Sequence, residues 1–268
     1  MSTRKHILAG SWYPSKTEEI LKEMELYIKT DIKQPIKAIG IVAPHAGWRY
    51  SGAVAGYGYA SVVIPQTVIV IAPNHRGVGN PKAIWSRGEW TIPDATIPVD
   101  EELSSLIIRH SGLVHDTFAH AHEHSLEIHL PFLYYRNPSI SIVPICMMDM
   151  PLQVLKEIGT GMGRAIKEYS KEVLIVASSD MSHYLPAKIA KKQDDLAINK
   201  MLELDPEGLY ETVRQNSISM CGVIPATVML YAAKELGASS AKLLMYSHSG
   251  VVTGDDSEVV AYASIAVL

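Results

Sequence analysis

The sequence predicts an α/β protein, one domain with a mainly parallel or mixed central sheet flanked by helices. Three observations carry that expectation. Short β-branched runs at residues 38–43, 67–72, 140–146 and 173–177 alternate with segments of helical periodicity. The 268 residues are 47% hydrophobic and only 19% charged, enough to bury a large core. No linker, repeat or shift in composition divides the chain, so residues 1–268 read as a single unit.

The elements follow in order. Ser15-Lys16-Thr17-Glu18 after Pro14 is a capping-box signature, and Ile20, Leu21, Met24, Tyr27 and Ile28 then share one helical face. The glycine- and alanine-rich stretch 51–62 predicts a helix whose small side chains allow close approach to a sheet. Residues 83–97, with Trp85 and Trp90 around Gly88, read as a hairpin. Asp100 starts a helix that stops at Gly112. Residues 115–135 are histidine-rich, and Pro131 is expected to interrupt any helix there. Helices are expected over 154–169, 188–204 and 206–215, the last capped by Asp205, with another just after Cys221-Gly222. Strands 243–247 and 259–267 complete the pattern.

Composition excludes several function classes. A net charge of −4 offers no basic excess to replace phosphate counterions, so nucleic acid is not an expected partner. The apolar run Ile7-Leu8-Ala9 is too short for a signal-peptide core, and no run approaches the ~20 residues that span a bilayer. Cys146 and Cys221 are too few for a disulfide framework. The protein is therefore expected to be soluble and cytoplasmic, with no membrane partner.

The histidines are the informative residues. His45, His75 and His183 each follow a buried strand, and in open α/β sheets ligands bind beyond the carboxyl ends of strands. Imidazole is the commonest metal ligand, although each of these also reads as a satisfied core or loop histidine. Asp180 either orients an imidazole or a bound water, or closes the turn after its strand. Cys221 precedes a helix start, where the helix amino terminus favours a thiolate that ligates metal or attacks electrophiles; the other reading is a small buried hydrophobe, as expected for Cys146. His120, His122 and His124 alternate, so they cannot share a helical face, and part of that cluster is expected at the surface. Residues 125–131 read as a packed helical turn that brings His124 and Glu127 near the site. Phosphate-loop, dinucleotide, nucleophile-elbow and H-E-x-x-H motifs are absent.

Five ordered blocks resemble the Memo family. They are Pro44-His45-Ala46-Gly47-Trp48-Arg49-Tyr50-Ser51-Gly52, then Ala72-Pro73-Asn74-His75, then Glu123-His124-Ser125-Leu126-Glu127-Ile128-His129-Leu130-Pro131-Phe132. Ser178-Ser179-Asp180-Met181-Ser182-His183-Tyr184 and Cys221-Gly222 follow, and Ser249-Gly250, Gly254-Asp255 and Val259-Val260-Ala261-Tyr262 also fit. Trp48 stands where tyrosine is usual and Ala72 where glycine is usual. The resemblance implies a fold similar to that of class III extradiol dioxygenases, whose non-haem iron is held by two histidines and a glutamate. It implies that His45 and His75 match the histidine ligands and that Cys221 takes the glutamate's place. His183 matches the acid–base histidine, with Asp180 in the same motif as its catalytic companion. His124 and Glu127 would support the ligands from outside.

The implied cofactor is a divalent metal, iron or copper first and zinc as the alternative, since sulfur favours softer ions than a carboxylate does. The expected function is a redox-active iron or copper site with an unknown substrate. The alternative is a non-catalytic binding or adaptor protein whose pocket holds a metal or peptide, and a third reading is thiol catalysis by Cys221 with His183 as base. The expected partner is a small molecule or peptide in the metal pocket. The resemblance adds radical-SAM-associated proteins, with which some bacterial and archaeal members are grouped, whereas animal members are regarded as signalling adaptors.

Overall fold

A computed structural model describes residues 2–28, 32 and 34–268. The first part of the chain forms β1 (Thr3–Arg4), α1 (Thr17–Ile28), β2 (Gly40–Ala43), α2 (Trp48–Ser61) and β3 (Thr67–Pro73). Next come β4 (Lys82–Ile84), β5 (Glu89–Ile92), β6 (Ala95–Pro98), α3 (Glu101–Ser111) and β7 (Val114–His115). Two single-turn 3-10 helices lead into α4 (Leu130–Arg136), β8 (Ser141–Met147), α5 (Leu152–Glu168) and β9 (Val173–Ser178). The remainder is β10 (His183–Leu185), α6 (Ala187–Leu202), α7 (Pro206–Gln215), α8 (Val223–Glu235), β11 (Ala241–His248), α9 (Gly250–Thr253) and β12 (Val259–Val267).

Among the described residues, nine strands form one mixed sheet in the order β10-β12-β2-β9-β3-β8-β4-β7, with β11 paired to β12. Its centre, β2-β9-β3-β8, is parallel, while β12 and β4 join it antiparallel. The central strands are buried on both faces, which is why they read as continuous apolar runs. Their two-residue period still sorts side chains between layers. Val68, Val70 and Ala72 of β3 join one apolar cluster with α1, α2 and α4. Ile69 and Ile71 join the other, with α3, α5, α6, α7 and α8. The expected α/β architecture is thus three layers around one sheet.

Local chemistry sets the boundaries. Asp100 caps α3 by accepting from the Leu103 amide, and Gly112 ends it at φ 67°, a left-handed conformation that glycine adopts without a Cβ clash. Asp205 caps α7 in the same way, with Pro206 as its first residue. Two expectations need correction. Pro131 does not interrupt a helix but begins α4, since in the first turn its missing N–H has no intrahelical partner to lose. The hairpin expected over 83–97 is confined to β5 and β6, whose β5 also pairs with β1 in a separate three-stranded sheet, while β4 pairs with β8 and β7 of the main one. Among the described residues no helix is long and apolar enough to cross a membrane.

Candidate metal centre

Three neighbouring parallel strands deliver the site. β2, β9 and β3 lie side by side, so their carboxyl ends open on one edge of the sheet. His45 follows β2 by two residues, His75 follows β3 by two, and Ser178 and Asp180 stand at the end of β9. Cys221 arrives from outside the sheet, just before α8. Gly222 permits this approach: a Cβ on it would lie 2.3 Å from the Ser178 carbonyl oxygen and 2.6 Å from Ser179 Oγ. Its amide instead donates to Ser179 Oγ at 3.0 Å. Gly222→Ala is therefore expected to cost about 1–3 kcal/mol by overpacking and to push Cys221 away from His45. Thermal melts with a Zn(II) titration check this, and unchanged zinc affinity would refute the displacement.

One potential ligand atom from each of His45, His75 and Cys221 lies within 4.8 Å of the other two. His45 Nε2 is 3.2 Å from Cys221 Sγ, and its Nδ1 is 2.7 Å from Ser178 Oγ. His75 Nδ1 is 2.9 Å from Glu123 Oε1, and the His75 amide donates to Glu123 Oε2 at 2.7 Å. His124 Nδ1 reaches the same Glu123 Oε1 at 3.1 Å, so one buried carboxylate orients two imidazoles. The His75 and His124 rings stack with centroids 4.5 Å apart, and Trp12 lies over the His124 ring at 4.6 Å.

The electrostatics follow from burial. Burial, reinforced by the neighbouring imidazoles of His75, His124 and His129, holds His45 well below its ordinary pKa, so it is a neutral donor. Burial alone would raise Glu123, but hydrogen bonds from His124, His75 and the Ser125 amide keep it well below the usual carboxylate range. Burial and then the Asp180 charge push the Cys221 thiol up. The expected helix-terminus effect on Cys221 is thus outweighed, and without a metal the thiol keeps its proton.

Other sequence-predicted residues fall in different places. Asp180 Oδ1 accepts the amides of His45 at 2.7 Å and Ala46 at 3.3 Å, and the Asp180 amide lies 3.2 Å from Cys221 Sγ. It ties the turns after β2 and β9 together and touches the thiol through its own backbone. His183 opens β10, partly exposed, with Nδ1 2.9 Å from the Ser219 carbonyl oxygen. It stands outside the ligand group. Glu127 turns to the amino-terminal segment instead, accepting from Arg4, the Ile7 and Leu8 amides and Tyr13. Of the alternating histidines, His122 is exposed while His120 is buried against Trp85 and Trp90. Glu123, Ser178 and His129 were not singled out from sequence. Only the carboxylate between His122 and His124 offered a signal.

Fold and site together define a three-layer α/β protein with His/Cys/Glu groupings suited to holding a metal ion. The chain belongs to the Memo family: the family model described as Memo-like protein matches residues 4–266. It is 41% identical to a MEMO1 family protein of Aquifex aeolicus (strain VF5), covering 100% of both chains. A MEMO1 family protein of Pyrobaculum aerophilum is 39% identical, with 99% of each chain covered. Among solved structures, an uncharacterized protein of Escherichia coli K12 is similar with a TM-score of 0.53 and 12% identity, over 85% of this chain and 99% of that one. At that identity the likeness concerns the fold alone.

Proposed function

We propose that the protein binds one redox-active transition metal, iron or copper, through His45, His75 and Cys221, in a site related to those of the non-haem dioxygenases. The observation that carries this reading is the convergence of His45 Nε2, Cys221 Sγ and a His75 ring nitrogen, with the Nδ1 atoms of both imidazoles engaged by other partners. The donor set fits the group. Two ligands bound at about 2.0–2.3 Å to a tetrahedral centre lie about 3.5 Å apart, close to the 3.2 Å between His45 Nε2 and Cys221 Sγ. A thiolate beside two imidazoles suits softer ions such as Cu(I), Zn or sulfur-ligated Fe.

A bound iron or copper would supply one-electron chemistry and Lewis acidity. Around it, Ser178 and Glu123 would hold the two imidazoles, and Cys221, its proton released to solvent, would be the third donor. A cleft of about 740 Å³ opens beside His75 and Cys221. Met148, Val213, Ile218 and Met220 line it, and the Asp149–Arg214 ion pair borders it. Apolar walls with a charged border suit a small molecule or a peptide side chain. His183 has its Nδ1–H committed to Ser219, which leaves Nε2 to take or give a proton, while Asp180 fixes the His45 backbone.

Elemental analysis of protein purified without added metal, paired with oxygen-consumption measurements, tests the reading. The expected result is stoichiometric iron or copper with metal-dependent turnover. Metal without turnover would favour a binding protein whose pocket holds a metal or peptide. No affinity for any of the three metals would overturn the proposal and leave thiol chemistry at Cys221, which the raised pKa of that thiol disfavours.

A further inference from the structure

His45 is held from behind by a hydroxyl rather than by the carboxylate that holds His75. Ser178 is fully buried, and its Oγ has three polar neighbours. These are the Ser125 carbonyl oxygen at 2.6 Å, His45 Nδ1 at 2.7 Å and His129 Nε2 at 2.8 Å. A serine hydroxyl has one proton to give and two lone pairs to offer. A carbonyl oxygen only accepts, so the Ser178 proton goes to Ser125. Both imidazole nitrogens facing Oγ must then be N–H donors. That places the His45 proton on Nδ1 and the His129 proton on Nε2.

The chain of donors closes without conflict. With its proton on Nε2, His129 has a lone pair on Nδ1, and this accepts the Tyr59 hydroxyl at 2.8 Å. Tyr59 and His129 are each 0% exposed, so bulk solvent does not reach these positions. The opposite His45 tautomer would make Nδ1 an acceptor and draw the Ser178 proton away from Ser125. A carbonyl and a hydroxyl oxygen would then face each other at 2.6 Å with no proton between them. One proton arrangement satisfies every atom in the chain, and it leaves the lone pair of His45 Nε2 directed at Cys221 Sγ, 3.2 Å away.

We propose that Ser178, braced by His129, Tyr59 and the Ser125 carbonyl, is the positioning residue that locks His45 in the Nδ1–H tautomer and so presents Nε2 as a donor before any metal arrives. The inference about tautomer stands on the hydrogen bonds alone, and its consequence for metal binding rests on the proposed function. A ligating imidazole takes its tautomer and ring orientation from the partner of its other nitrogen. Here that partner is neutral and is itself fixed by a second, non-ligating histidine.

The test begins with metal-free wild-type protein carrying ¹⁵N-labelled histidine. Long-range ¹H–¹⁵N correlation spectra should show His45 protonated on Nδ1 only and His129 protonated on Nε2 only. Ser178→Ala should convert His45 to a tautomer mixture and weaken Zn(II) binding about 10–100-fold, the usual effect of losing an outer partner of a ligand. Tyr59→Phe keeps the serine hydroxyl and should leave the His45 tautomer in place. His45 protonated on Nε2 in the wild type overturns the proposal, as does Ser178→Ala with unchanged tautomer or unchanged zinc affinity. The wild-type spectrum needs no variant to fold and no metal to bind. A wild-type protein that binds no Zn(II), iron or copper would therefore overturn the metal reading without touching the tautomer assignment.

Discussion

His45→Ala, His75→Ala and Cys221→Ala are each expected to lower metal affinity by more than the about 10–100-fold typical of losing a ligand's outer partner, because each deletes a donor outright. His183→Ala should leave metal content near the wild-type level. Any turnover would fall by about 10²–10⁴-fold, the usual contribution of an acid–base group. Metal analysis and activity on the same four variants separate the two roles, with melting curves to exclude unfolding. Equal metal loss in His183→Ala at unchanged stability would make His183 a ligand. The site also carries a pH dependence with a definite sign. The thiol of Cys221 is pushed up by burial, so at neutral pH a metal bound there would have to displace its proton. Affinity should fall about tenfold for each unit of acidification, one proton being released per metal bound. His45, held neutral by burial, adds no proton near neutrality. Calorimetry in two buffers of different ionisation enthalpy measures that proton, and its absence would show that Cys221 is not the third donor.

Arg4→Ala should be strongly destabilising although Arg4 lies outside the candidate metal centre. Arg4 and Glu127 are 3% and 0% exposed, with Nη1 and Oε2 2.6 Å apart. The guanidinium also donates to the carbonyls of His120 and Glu123 and lies 4.3 Å over the Trp90 ring. Removing one partner of a buried pair leaves the other without its counter-charge, which costs about 3–5 kcal/mol. In a chain of this size that corresponds to a melting temperature lower by roughly 6–20 °C. Arg4→Lys should recover little, because an ammonium lacks the planar fork that reaches three oxygens together. The substitution should also reduce metal affinity, since the two carbonyls it abandons belong to the loop that sets Glu123 and His124. A melting temperature within about 2 °C of wild type would refute the assigned weight of this pair.

The architecture was largely legible because its determinants are local. Pro206–Gln215 is the helix that the Asp205 cap indicates, Val259–Val267 is the strand expected over 259–267, and Asp100 and Gly112 bound α3 as their chemistry requires. The convergence of His45, His75 and Cys221 was legible in part, since two of them follow parallel strands that turn out to be near neighbours. What escaped are interactions between distant segments. Nothing local in Ser178 reveals that residues 45, 125 and 129 will surround its hydroxyl. The sequence points to Glu127 rather than Glu123 as the carboxylate near the site, yet Glu127 faces the amino-terminal segment and Glu123 the imidazoles. Cys221 shows the limit of a single rule: a helix start favours thiolate, but burial outweighs it.

The order of strands in the sheet also bears on how the protein is made. β2, which leads into His45, is flanked by β9 and β12, and both are synthesised long after it. Until they leave the ribosome, Gly40–Ala43 is an apolar segment with both backbone edges unpaired, open to strand addition by other nascent chains. The short length of β2, four residues, and the proline just beyond it limit that exposure. Completion of the sheet around β2 therefore depends on pairings between segments far apart in the chain, the kind of contact that slows folding, and the surroundings of His45 at its carboxyl edge depend on the same pairings.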